Sequence, residues 1–248
     1  MSQSGTTQDE KETEMAIIKE VKDAIEAVAE TVEHVRKISE AIKNGRDYLK
    51  TKHPHVASGL VVMCEEMRNS SQALAAASSI VTHFRFVIGD ALAAEASRFN
   101  EHLIDYKAQA ETVAQRLDSM RGHCTVIEQH AKEIARNANP GGLTSLAAVL
   151  GLYSPVRERE LAAALQRIYD EEMNYHAGVF EMANAIKGAL KAVQDKLGPP
   201  GVIDPGQVPA AAIVLGEYAT AFGRLESNCN HNALQLQTSI DVLRGLAA

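Results

Sequence analysis

Apolar residues along this chain recur at alternating steps of three and four, and five separate stretches carry the alternation. In the first, Ile18, Val21, Ile25, Val28, Val32, Val35 and Ile42 keep that spacing, with Ser39 in the one missing place. Steps of three and four put every member on one narrow stripe of a helix, the seam that coiled coils bury. The second stretch carries Val56, Leu60, Met63, Met67, Ser70, Leu74, Ala77, Val81 and Phe84. The third runs from Leu92 through Phe99, Leu103, Leu117 and Ile127 to Ile134 without a miss. The fourth holds Leu161, Leu165, Ile168, Glu172, Tyr175, Val179, Met182 and Ile186. The fifth holds Leu215, Tyr218, Phe222, Leu225, Cys229, Asn232, Leu236, Ser239 and Leu243.

Breakers divide these stretches. His53-Pro54 separates the first two, because proline suits a first helical turn and disfavours helix in the residue before it. Asn44-Gly45 weakens the first helix and offers an earlier end, although Leu49 stays in phase. At Gly89-Asp90 the expected feature is a tight turn with Asp90 as N-cap. Steps of four from Phe84 to Ala96 leave one continuous helix as the alternative. Asn139-Pro140-Gly141-Gly142 stops the third helix, Ser154-Pro155 opens the fourth, and a Pro/Gly loop over 198–209 precedes the fifth.

The pattern therefore predicts an all-α fold: an elongated antiparallel bundle of about five long helices with coiled-coil-like packing. The helices are expected at about 13–51, 54–88, 90–138, 155–197 and 209–246. They form a single domain over 13–248, after a polar tail at 1–12 that is expected to be disordered.

Composition agrees with this. Of 248 residues, 46% are hydrophobic but only 4% aromatic, with no Trp, which suits closely approaching helices better than a sandwich or barrel. A net charge of −7 argues against a nucleic-acid binder, which needs a basic stripe to neutralise phosphates. It also weakens attraction to anionic lipid. The N-terminus lacks the apolar core of a signal peptide, no stretch is apolar for long enough to span a bilayer, and the three cysteines are far apart. A cytoplasmic location with reduced, buried thiols is the expectation.

Candidate chemistry is sparse. A di-metal bundle needs Glu-x-x-His pairs, and the chain has none. Its nearest substitutes are the i, i+4 pairs Glu30/His34 and Glu172/His176, so no metal or cofactor is assigned. His123 and Cys124 point about 100° apart on one helix, which is poor geometry for a thiol–imidazole nucleophile. His83-Phe84-Arg85-Phe86 is a dense aromatic–basic cluster, read as a second packing face or a contact patch.

Glu172 stands out because it lies on the fourth seam, where an unpaired carboxylate is costly. With Tyr175, His176 and Asn232 it makes a candidate polar core site, whose first reading is register control. The second candidate is the apolar segment 143–153, with Leu143, Leu146, Val149, Leu150 and Leu152. It is too short to span a membrane, so it plugs the bundle end, docks on a partner or inserts shallowly.

These features lead to a non-enzymatic cytosolic scaffold or adaptor acting through protein–protein contact or self-association, with a homo-oligomer as the expected state. No nucleic acid or small-molecule ligand follows from the residues. The alternative is a membrane-active helical effector using the 143–153 tip. An enzyme with a small polar site around Glu172 and His176 comes third.

Overall fold

The computed structural model describes residues 8–90, 122, 125–138, 154–197 and 208–245, and every regular element among them is an α-helix. In chain order these are α1 (Gln8–Lys52), α2 (Pro54–Asp90), α3 (the segment 125–137), α4 (Pro155–Leu197) and α5 (Val208–Arg244). At 45, 37, 43 and 37 residues, α1, α2, α4 and α5 far exceed an ordinary globular helix. Helices so long draw their stability from a continuous buried face rather than from propensity. The fold is all-α.

Helix ends follow local chemistry. α1 begins at Gln8, inside the stretch expected as a tail. Asn44-Gly45 does not end it. Gly45 lies against Leu161 of α4, where an added Cβ would stand 3.7 Å from Leu161 Cδ1. That is ordinary van der Waals distance, so the site would accept a methyl group, and one glycine costing roughly 1 kcal/mol is too little to end so long a helix.

At the corner, His53 N–H donates to the Leu49 carbonyl at 2.9 Å. The His53 carbonyl in turn accepts from Val56 and Ala57, so one residue closes α1 and opens α2. The Ser154 hydroxyl accepts from Arg157 N–H at 3.5 Å and caps α4. α2 stays helical through Gly89 and Asp90; residues 91–121 lie outside the described set, and so does any turn there.

The chain divides into two compact units. The first comprises Met1–Glu30, Ser71–Ala114 and Gly178–Asn230. Its described core is built of small side chains, Ala27, Ala75, Ala77, Ala183 and Ala221, filled out by Leu74, Met182, Phe222 and Leu225.

The second unit comprises Thr31–Ser70, Gln115–Ala177 and His231–Ala248. Here contacts fix the helix directions. His34 meets Glu171 and Tyr48 meets Glu158, so α1 and α4 are antiparallel. Thr31 meets Asn232 and Ser39 meets Ser239, so α1 and α5 are parallel. Arg68 bonds Gln237 and Arg244 bonds Glu65, which sets α2 against α5. Up and down helices thus share one core, as in a bundle.

The seam positions of α2, α4 and α5 are buried, from Leu60, Met63 and Met67 to Leu161, Leu165 and Ile168 and to Leu236 and Leu243. α1 differs. Its buried stripe in this unit is Thr31, Val35, Ile38, Ile42 and Leu49, with Val32 and Ser39 only half-buried. A helix facing several neighbours buries an arc wider than a two-stranded seam. Ile38 takes the centre, and Ser39 moves to the flank.

Candidate functional site

The candidate polar core residues lie at one end of the second unit. Glu172, Tyr175 and Asn232 are fully buried, and His176 is half-buried. Tyr175 donates its hydroxyl to the Met67 carbonyl of α2 at 3.0 Å, which satisfies an otherwise costly buried O–H. Asn232 donates to Thr31 Oγ1 at 3.2 Å across the α1–α5 contact. Glu172 and His176 each make an interaction of their own. Tyr175 and Asn232 thus each tie two helices of this unit together. Ser70, also fully buried, joins this end from α2.

The tip residues Leu143, Leu146, Val149, Leu150 and Leu152 lie outside the described residues, as do His123 and Cys124. Cys64 and Cys229 are free and buried, and burial pushes both thiols up to about 12. Thiols so protonated are poor nucleophiles at neutral pH.

A second polar cluster, not anticipated from the sequence, surrounds the α1–α2 corner. Glu158, in the first turn of α4 and 5% exposed, accepts from the Tyr48 hydroxyl at 2.6 Å. It also accepts from His53 Nε2 at 3.0 and 3.3 Å. The His53 ring faces His55 at 6.1 Å, and His55 meets His130 of α3 edge to face at 5.1 Å. Four helices thus place polar side chains at one corner. The only trace of this in the sequence is the His-Pro-His run at 53–55.

His34 does not pair with Glu30 along its own helix. It donates to Glu171 of α4 at 2.5 Å, while Lys37 reaches the other carboxylate oxygen at 3.0 Å. Burial raises the Glu171 carboxyl, but the hydrogen bonds from His34 and Lys37 outweigh it and hold the group below the usual carboxylate range. A depressed folded value contributes stability that is full above the unfolded pKa, near 4, and lost as pH falls through the folded value. The expected result is a wild-type advantage over Glu171→Gln in urea melts at pH 7 that vanishes by about pH 2. An advantage that persists unchanged in acid would refute it.

Two surface grooves accompany these clusters. One, of about 580 Å³, lies between α1 and α4 and is lined by Gly45, Tyr48, Arg157 and Arg167 among others. The other, of about 220 Å³, lies between α1 and α5 over Ser39, Ile42, Ser239 and Val242. Among the described residues no three ligating side chains form a metal-holding group, and no helix is long and apolar enough to cross a membrane. The chain matches no protein-family model, no characterised protein and no solved structure.

Proposed function

We propose that this chain is a cytoplasmic helical-bundle scaffold that works through protein–protein contact, first of all with a second copy of itself, and not through catalysis. The observation that supports this is the α1–α5 groove. Its floor is Ile42 with Ser39 and Ser239, and its rim carries Arg36, Glu40 and Lys43 on one side and Thr238 and Val242 on the other. A trough between two parallel helices is the shape that a third helix fills, ridge into groove. Leu234 lies one turn before Thr238 on α5 and is 68% exposed, so it extends the apolar surface beside the groove.

The rim favours self-association because its charges alternate in sign. Arg36 pairs with Glu33 and Glu40 along its own helix; with a second α1 laid antiparallel so that Arg36 of each copy stands opposite Glu40 of the other, the same charges can pair between copies. Such a two-fold arrangement is the commonest route to an oligomer. Rim pairs of this kind contribute specificity and register more than affinity, which comes from the floor.

Mass photometry across a concentration series tests the reading. A discrete dimer or higher oligomer is expected, weakened at least tenfold in Leu234→Asp and in Thr238→Arg with helicity unchanged. A wild-type chain that stays monomeric overturns self-association. Association unchanged in both variants removes the groove from the reading.

A further inference from the structure

We infer that the α1–α4 groove is a binding site for a free fatty carboxylate of medium chain length, with the head group on Arg167. The groove's volume of about 580 Å³ is that of a small-molecule site, for which about 300–1,000 Å³ is usual. α1 and α4 are antiparallel, so the groove runs along both, from Arg167 at one end to Arg157 and Tyr48 at the other. Ten residues of α4 separate the two arginines, a span of about 15 Å. With C–C bonds of about 1.5 Å, an extended chain of roughly twelve carbons covers that distance. Between the ends the lining includes Ala41 and Gly45 of α1 and Leu161, Ala163 and Ala164 of α4. Four of these five carry no more than a methyl group, which is what leaves a trough between the helices.

Charge decides which end takes the head group. Arg157 shares its end of the lining with two carboxylates, Glu160 and Asp47, so a further anion is disfavoured there. Arg167 has no acidic neighbour in the lining. The two acids one turn beyond it are engaged elsewhere: Asp170 accepts from Gln166 at 3.0 Å, and Glu171 is held by His34 and Lys37. Among the described residues the Arg167 guanidinium has neither an ion pair nor a hydrogen bond. A guanidinium fork matches a carboxylate in bidentate fashion. The tail then runs over the small side chains toward Tyr48, whose hydroxyl is committed to Glu158 and whose ring is left for the tail to meet.

Isothermal titration of the full chain with sodium dodecanoate, kept below its micellar concentration, tests the site. One saturable site is expected. Arg167→Gln should weaken it about tenfold through loss of a charge-assisted contact. Ala164→Phe, which fills the trough, should abolish binding. Octanoate should bind about tenfold more weakly, as four fewer methylenes are half-buried. Dodecyltrimethylammonium, with the same tail and the opposite charge, should not bind. Arg159→Gln, on α4 but outside the groove, should leave binding intact. The proposal fails if dodecanoate shows no saturable binding at millimolar concentration, or if binding is unchanged in Arg167→Gln or Ala164→Phe. It fails equally if octanoate or the cationic analogue binds as tightly as dodecanoate. Arg167 is exposed, so its variant should fold and decides the matter even if Ala164→Phe does not; circular dichroism checks both.

Discussion

Replacing Tyr175 with alanine is expected to cost about 3–5 kcal/mol of folding stability, the range for removing a fully buried aromatic ring. The ring is 0% exposed, and its hydroxyl reaches out of the core to the Met67 carbonyl. Two losses combine: a cavity in a close-packed interior, and an α4-to-α2 hydrogen bond. Tyr175→Phe separates them. It keeps the volume and removes only the hydroxyl, so it should cost about 0.5–1.5 kcal/mol. Urea unfolding monitored by far-UV circular dichroism reads both. If Tyr175→Phe costs as much as Tyr175→Ala, the hydrogen bond rather than the packing holds this end of the unit, and the packing argument is wrong.

The second large effect is at Glu158. Glu158→Ala should destabilise by roughly 2–4 kcal/mol, because it strips one acceptor from two donors at once. Tyr48 and His53 would each lose this carboxylate at the corner between α1 and α2. Glu158→Gln keeps a carbonyl oxygen for one of them and should recover about half of the loss. A denaturation midpoint unchanged in Glu158→Ala would mean that water replaces the carboxylate without cost, and that the cluster contributes little.

The helical architecture was legible in the spacing of apolar residues, since burial of a helix face leaves a period that no other element shares. The polar interruptions at Glu172 and Asn232 were legible for the same reason, as they occupy seam positions and are buried there. The neighbour relations were not. Every helix presents a similar stripe, so the pattern does not say that α1 runs parallel to α5 and antiparallel to α4.

The corner cluster was hidden by distance along the chain. Glu158 meets Tyr48 and His53 across sequence separations of 110 and 105 residues, and no short motif spans that gap. His34 shows the same limit on a smaller scale. Its neighbour at i−4 was visible, but its partner is Glu171 on another helix. On α1 a strict alternation of three and four points to Ser39, whereas the buried position is Ile38, because several helices press on an arc broader than one stripe.

The single-residue corner has a mechanical meaning. His53 gives its N–H to the last turn of α1, its carbonyl to the first turn of α2 and its ring to Glu158 at the head of α4. With no slack residue between the first two helices, the corner acts as a stiff elbow instead of a hinge. Torque applied to α1 passes to α2 without being absorbed in a loop, and the Glu158 latch carries part of it to α4. Any rearrangement of this unit that leaves the latch closed must therefore turn three helices together.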